Sequence, residues 1–395
     1  MNKYTVLSLV CLALSVPLAF LLVQRRMHSK EVSVVRFATF NASLHRDRPG
    51  ALLEELRRGD SAQARQIAAI VQRCEVDVLL LCELDRDEAQ ASAEAFATQY
   101  LAVPQDGGKP IDFAFRYVPE VNTGAPSGLD LDGDGANDGP GDAWGFGRFP
   151  GQYGMAILSR HPIVTDGIRT FRMLPWSAMP GALRPDGYGD DVWGRVRLSS
   201  KNHLDVPIRC GGTLVHALCS HPTPPAFDGP EDRNGRRNHD EIRFWVDYLT
   251  PGADGWIVDD RGGRGGLAPD QRFVLLGDLN CDPVDGDARP EALRRLLAHE
   301  RVADPAPRGL GGGEQAKVEQ WAMNSSQRGE PELDTADFED APGKGPGNLR
   351  VDYVLPSRSL PSFGCGVFWP QKGQPGAAWL GASDHRLVWV DVEAH

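Results

Sequence analysis

The chain has 395 residues, 41% of them apolar and 24% charged, enough of both to close a full hydrophobic core with an ordinary surface. Its net charge of −12 weighs against tight, sequence-independent binding to polyanions, which requires a basic surface. Nuclease activity is not excluded, because local loops and a metal ion can hold a phosphate.

Taken in chain order, the first signal is an uncharged run from Tyr4 to Val23, closed by Gln24-Arg25-Arg26. At about 20 residues it is long enough to span a bilayer and longer than most signal-peptide cores. Residues 1–30 are therefore expected to form a signal peptide or membrane anchor with its linker, leaving the domain exported, either secreted or membrane-associated through residues 4–23. Residues 31–395 form the expected catalytic domain. Its strands are predicted at Val34–Phe40, Val76–Cys82, Phe113–Val118, Tyr153–Leu158, Val192–Leu198, Thr213–Cys219, Arg272–Leu276, Val351–Leu355 and Leu387–Val392. Helices are predicted over Ala62–Arg73, with Ile67, Ile70 and Val71 on one face, over Glu88–Tyr100, and over Arg237–Leu249. Another, capped by Asp287 with Pro290 in its first turn, runs through Leu297. Two Gly- and Pro-rich stretches, about 119–150 and 308–348, read as loop insertions. Six cysteines lie beyond the N-terminal run. They read either as small buried residues or as partners of a bridge such as Cys210 to Cys219.

Polar groups capable of chemistry stand at the ends of these apolar runs. Asn41 follows the first strand and Glu83 the second. Gly277-Asp278-Leu279-Asn280 follows Phe273–Leu276, Asp352 sits within Val351–Leu355, and Ser383-Asp384-His385 precedes the last strand. Carboxylates and amides supply hard oxygen ligands of the kind Mg²⁺ prefers. A histidine with carboxylates beside it suits proton transfer next to a metal. Singly, each has a plainer reading: a turn Asn, a solvent-facing Glu, an Asx turn, a structural His.

In this order the motifs resemble the endonuclease/exonuclease/phosphatase superfamily, over about Val34 to Val392, with Gly154–Arg160 and Ser220-His221-Pro222 fitting the same pattern. The resemblance implies an α/β four-layered sandwich, two packed and mainly antiparallel β-sheets flanked by helices. It implies Mg²⁺- or Mn²⁺-dependent hydrolysis of a phosphate ester. In that scheme Glu83, Asn41 and Asp384 form the metal site. Asp278 orients the attacking water, His385 held by Asp352 handles protons, and Asn280 with His221 stabilises transition-state charge. Arg237, at a helix start, is a candidate phosphate clamp or a surface charge. The substrate is a phosphate ester, either a nucleic acid or a phospholipid or sugar phosphate. The rival of another class is a non-catalytic binding module on the same fold. Oligomeric state is not legible.

Asp130, Asp132, Asp134 and Asp138 lie at positions one, three, five and nine of a loop with Gly135 at six, matching the first part of a calcium loop. Gly141 stands where such a loop has its bidentate Glu. Structural Ca²⁺ and a bare acidic loop are the two readings.

Overall fold

The computed structural model describes residues 33–227, 229–318, 323–341 and 343–394. The expected anchor or signal at 4–23 lies outside the described residues. Among those described, no helix is long and apolar enough to cross a membrane.

Thirteen strands are described: β1 (Ser33–Leu44), β2 (Val78–Leu84), β3 (Phe115–Tyr117), β4 (Met155–Ser159), β5 (Arg169–Thr170), β6 (His203–Cys210), β7 (Thr213–Ser220), β8 (Arg272–Asp278), β9 (Ala336–Asp337), β10 (Asn348–Leu349), β11 (Asp352–Pro356), β12 (Ser362–Val367) and β13 (Val388–Ala394). Six form one sheet in the order β12-β13-β1-β2-β4-β3, and five form a second in the order β11-β8-β7-β6-β5. Each sheet is antiparallel except for one parallel pair, β1 with β2 and β7 with β8. A parallel pair needs a long crossover. The first is made by helices α1 (Ala51–Arg58) and α2 (Ala62–Arg73), and the second by α5 (Arg233–Leu249). The remaining helices are α3 (Ala91–Phe96), α4 (Asp190–Arg195), α6 (Glu291–Leu297) and α7 (Leu310–Val318).

Alternation along the strands divides the core. Val35, Phe37, Val78, Leu80 and Ile157 of the first sheet pack against Leu204, Val206, Ala217, Val274 and Leu276 of the second. The opposite faces of the same strands, Ala38, Phe40, Leu79 and Leu81, pack with Ile67, Ile70 and Val71 of α2. Leu218, Phe273 and Leu275 likewise pack with Ile242, Trp245 and Leu249 of α5. Period two in the strands and period 3.6 in the helices thus produce helix, sheet, sheet, helix: the expected four-layered sandwich. Ser61 caps α2 by accepting from the Ala64 N–H at 3.2 Å.

Three readings of elements need correction, and one open alternative for the cysteines is resolved. Val192–Leu198 is not a strand. Its first half lies in α4, where Asp190 and Asp191 occupy the first helical turn and favour its positive end. The strand His203–Cys210 escaped the apolar pattern because His203 and Asp205 interrupt it. Both are buried and satisfied inside: Asp205 accepts from the Tyr248 hydroxyl at 2.6 Å and meets His216 Nδ1 at 2.6 Å. Asp287 does not cap α6, whose cap position is Pro290. Cys210 and Cys219 do not bridge. They sit opposite Thr213 and Leu204, and both are free thiols.

The 119–150 insertion is irregular but packed, pinned by the buried Asn122 amide to the carbonyls of Arg172 at 2.8 Å and Ser199 at 2.7 Å. The second insertion carries α7 and the two-stranded ribbon β9–β10. Near that ribbon Asp334 is buried close to Asp282 and Asp285. Burial first, then those two carboxylates, push its pKa up to about 8. Between the ordinary carboxylate value and 8 the native state therefore holds a proton that the unfolded chain lacks. Stability should fall as pH rises through that window, by up to about 1.4 kcal/mol per unit. Asp334→Asn should raise the melting temperature at pH 9 and change it far less at pH 5; equal shifts at the two pH values would refute the assignment.

Candidate active site

Each parallel pair ends at the same rim. β1 brings Asn41, β2 brings Glu83, β8 ends on Asp278, and His221 follows β7. Asp352 opens β11 directly opposite Asp278 in the ladder. His385 precedes β13, and its bridge to Ala336 draws β9 over the site. Two local irregularities aim the side chains. The β1–β2 register shifts between Asn41 and Leu44, and Glu83 takes a left-handed backbone with φ 58°. A non-glycine residue held there costs about 1–3 kcal/mol, and such strain collects at functional sites. Asn280 is also left-handed, φ 51°, which asparagine tolerates well.

Asp278 is the hub. Its Oδ2 accepts from Asn41 Nδ2 at 3.0 Å and lies 3.4 Å from His221 Nε2 and 3.7 Å from His385 Nε2. Its Oδ1 accepts from the Asn280 N–H at 2.9 Å. Asn41 Nδ2 also donates to Glu83 Oε1 at 3.1 Å, so one amide tethers two carboxylates. His385 Nδ1 meets Asp352 Oδ2 at 2.9 Å. Asn41, Glu83 and His385 ride on the six-stranded sheet, and His221, Asp278 and Asp352 on the five-stranded one. The Asn41–Asp278 and His385–Asp352 bonds therefore cross from sheet to sheet.

The electrostatics separate these groups. Burial alone would lower the His385 pKa, but Asp352 and Asp278 outweigh it and push the ring up to about 10, so it is an imidazolium at neutral pH. Burial drives His221 well below the usual imidazole range, and the positive charges of Lys201 and His385 add to that, so this ring is neutral. Burial raises Asp278 and Asp352, and the positive His385 opposes the rise at both. One imidazole is thus charged and the other neutral on the same carboxylate, an arrangement that gives the pair different proton roles.

Asp384 is exposed at the mouth, and its Oδ1 accepts from Ser43 Oγ at 3.2 Å. Asn280 Nδ2 turns away from Asp278 and donates to the Pro222 carbonyl at 3.1 Å. Asn41, expected at the metal site, accepts from the Ser43 N–H at 3.2 Å through its oxygen, while its Nδ2 holds Glu83 and Asp278. Arg237 is not a phosphate clamp. It is buried on the inner face of α5 and donates to the carbonyls of Leu198, Trp144, Arg197 and Ser199, which fixes loops rather than ligands. In the acidic loop Asp130, Asp132 and Asp134 bring carboxylate oxygens within 4.8 Å of one another, and Asp138 falls outside this group. Asp130 accepts from the Gly133 and Gly135 N–H groups, and the buried Asp142 accepts from Leu131 and Gly139. Asp142, one place beyond position twelve, therefore closes the loop where Gly141 offers no carboxylate.

Several site residues were not expected. His45 Nε2 lies 3.5 Å from Glu83 Oε2, and its ring packs on Tyr153. Thr335 Oγ1 accepts from the Val351 and Asp352 N–H groups and so fixes the start of β11, and Phe338 meets the His385 ring edge-on at 5.3 Å. Lys201 is buried next to His221. None has a motif around it. The only signal is that Thr335 and Phe338 lie in an insertion long enough to return to the rim.

A two-sheet sandwich with carboxylates, an amide and two imidazoles gathered on one rim is the frame of a phosphoesterase. The family model described as endonuclease/exonuclease/phosphatase family matches residues 38–385, and the chain belongs to that family, whose members hydrolyse phosphate esters. No curated protein matches. Among solved structures, the chain is similar to an endonuclease/exonuclease/phosphatase from Beutenbergia cavernae (19% identity, 91% of this chain and 71% of that one, TM-score 0.48). It is also similar to a mannosyl-6-phosphatase from Bacteroides thetaiotaomicron (13% identity, 91% and 99%, TM-score 0.44) and to TDP2 from C. elegans (14% identity, 93% and 78%, TM-score 0.40). At these identities and scores, no substrate passes from them to this chain.

Proposed function

We propose that this protein hydrolyses phosphate esters with the help of a divalent cation, Mg²⁺ or Mn²⁺, by in-line attack of water. The observation that carries this reading is the shared carboxylate: Asp278 faces an amide, a neutral imidazole and an imidazolium at 3.0, 3.4 and 3.7 Å.

The donor set suits a hard cation, since it is made of carboxylate oxygens. Two placements compete. Asp278, Asp352 and His385 lie close enough together to surround an ion. A protonated ring, however, has no lone pair to give, and both nitrogens of His385 already face carboxylates. Glu83 and Asp384, at the open side of the rim, are therefore the residues we assign to the cation, with Asn41 orienting Glu83. When bound, the ion supplies charge neutralisation on a phosphate oxygen. The chain does the rest. Asp278, held by the Asn41 amide and the Asn280 N–H, aligns the attacking water and takes its proton as the new P–O bond forms. His385, held by Asp352, supplies the proton that the departing oxygen needs. His221 and Asn280 face charge that builds on phosphorus-bound oxygens.

For substrate, the net charge of −12 favours a small phosphate ester or lipid head group over nucleic acid. A panel of nitrophenyl phosphate mono- and diesters, sphingomyelin, RNA and DNA, each assayed with Mg²⁺ and with EDTA, tests both statements. Metal-dependent cleavage of at least one small ester is expected. Failure on every substrate with Mg²⁺ and Mn²⁺ would leave the binding-module reading in its place.

A further inference from the structure

The chain has 35 arginines and only seven lysines, and among the described residues just one lysine is buried. That residue is Lys201, 6% exposed, in the loop that leads into β6. An ammonium has three protons to donate. The only acceptor within its reach among the described residues is the Pro222 carbonyl, at 3.4 Å. Burying a charge with so little compensation is expensive unless the site has a use for it.

Its surroundings indicate what the use is. The Pro222 carbonyl also accepts from Asn280 Nδ2 at 3.1 Å, so the ammonium and that amide converge on one oxygen beside His221. Asn238 ties the two segments together, donating to Thr223 and Leu279 carbonyls at 2.8 and 2.9 Å. Glu241 of α5 is near Lys201 but does not neutralise it by contact. Its oxygens are taken by the Ser200 N–H and hydroxyl and by the Thr223 N–H, at 2.6, 2.9 and 2.6 Å. Glu241 thus clamps the backbone at Ser200, next to Lys201, and at Thr223, next to the carbonyl that the ammonium meets. Burial lowers the Lys201 pKa, and Glu241, Glu83 and Asp278 act against that lowering.

We propose that Lys201 is a phosphate-binding residue of this site, its ammonium taking a non-bridging oxygen of the phosphoryl group together with Asn280 and His221, and so favouring doubly charged phosphomonoesters over diesters. The assignment rests on the phosphoesterase reading. It adds a fixed cation at the Pro222 carbonyl, beside His221 and Asn280. A full charge there matters more to a dianion than to a monoanion, whereas a merely structural lysine would affect both alike.

The test compares wild type with Lys201→Met, in the presence of Mg²⁺, on nitrophenyl phosphate and bis-nitrophenyl phosphate, with inorganic phosphate binding measured by calorimetry. Lys201→Met should weaken phosphate binding at least tenfold. Its loss in kcat/KM should be at least tenfold larger on the monoester than on the diester. Lys201→Gln, which keeps a donor for the Pro222 carbonyl, gives the same comparison where the methionine variant does not fold. Equal losses on the two esters together with unchanged phosphate binding would overturn the assignment alone. Wild type that neither hydrolyses either ester nor binds phosphate would overturn this assignment, and the phosphoesterase reading would fall as well if sphingomyelin, RNA and DNA were also left uncleaved.

Discussion

His385→Ala should lower turnover by about 10²–10⁴-fold while changing the Mg²⁺ concentration for half-activation little. The range is that of a positioned acid or base. The ring is buried, its Nδ1 is fixed by Asp352 at 2.9 Å, and its Nε2 faces the site 3.7 Å from Asp278 Oδ2. Removing it takes away the proton donor and leaves Glu83 and Asp384 in place. The variant also leaves Asp352 buried without its partner, which costs stability, so melting curves must accompany the kinetics. Steady-state rates across a Mg²⁺ titration give the answer: activity within threefold of wild type would show that His385 is structural.

Glu83→Gln should show the opposite pattern. The shape of the side chain is kept, but one negative charge facing the cation is lost, so at least tenfold more Mg²⁺ should be needed for half-activation, about 1.4 kcal/mol of binding. Activity should recover in part at saturating metal. The Asn41 N–H that now meets Glu83 Oε1 at 3.1 Å can still meet an amide oxygen, so the tether to Asp278 survives. A variant whose rate falls without any change in its metal requirement would move the ion away from Glu83.

The sandwich and most of its strands were legible because their periodicities are strong. The run from Val34 to Phe40 alternates between the two cores, and α2 buries Ile67, Ile70 and Val71 as their spacing requires. What was illegible was polarity satisfied at long range. Nothing near Asp205 in sequence says that Tyr248 and His216 will bind it, so β6 could not be read. Arg237 shows the same limit from the other side. At a helix start it has the look of an anion clamp, and only the fold reveals that four carbonyls from two segments already occupy it. Site residues with a motif around them, such as Asp278 and His385, were found. Those without one, such as Lys201 and His45, were not, because a single lysine or histidine carries no positional signal until the chain closes around it.

The sheet-to-sheet bonds of the site have a mechanical consequence. Asn41 and His385 move with one slab of the sandwich, Asp278 and Asp352 with the other, and between the slabs lie close-packed side chains such as Leu80, Ile157, Val206 and Val274. Sliding one slab over the other by an ångström would open both bonds without breaking a single ladder within either sheet. The apolar filling is thus the spacer that sets the gauge of the catalytic gap. Cavities or overfilling far from the rim reach the chemistry as misalignment before they reach it as unfolding.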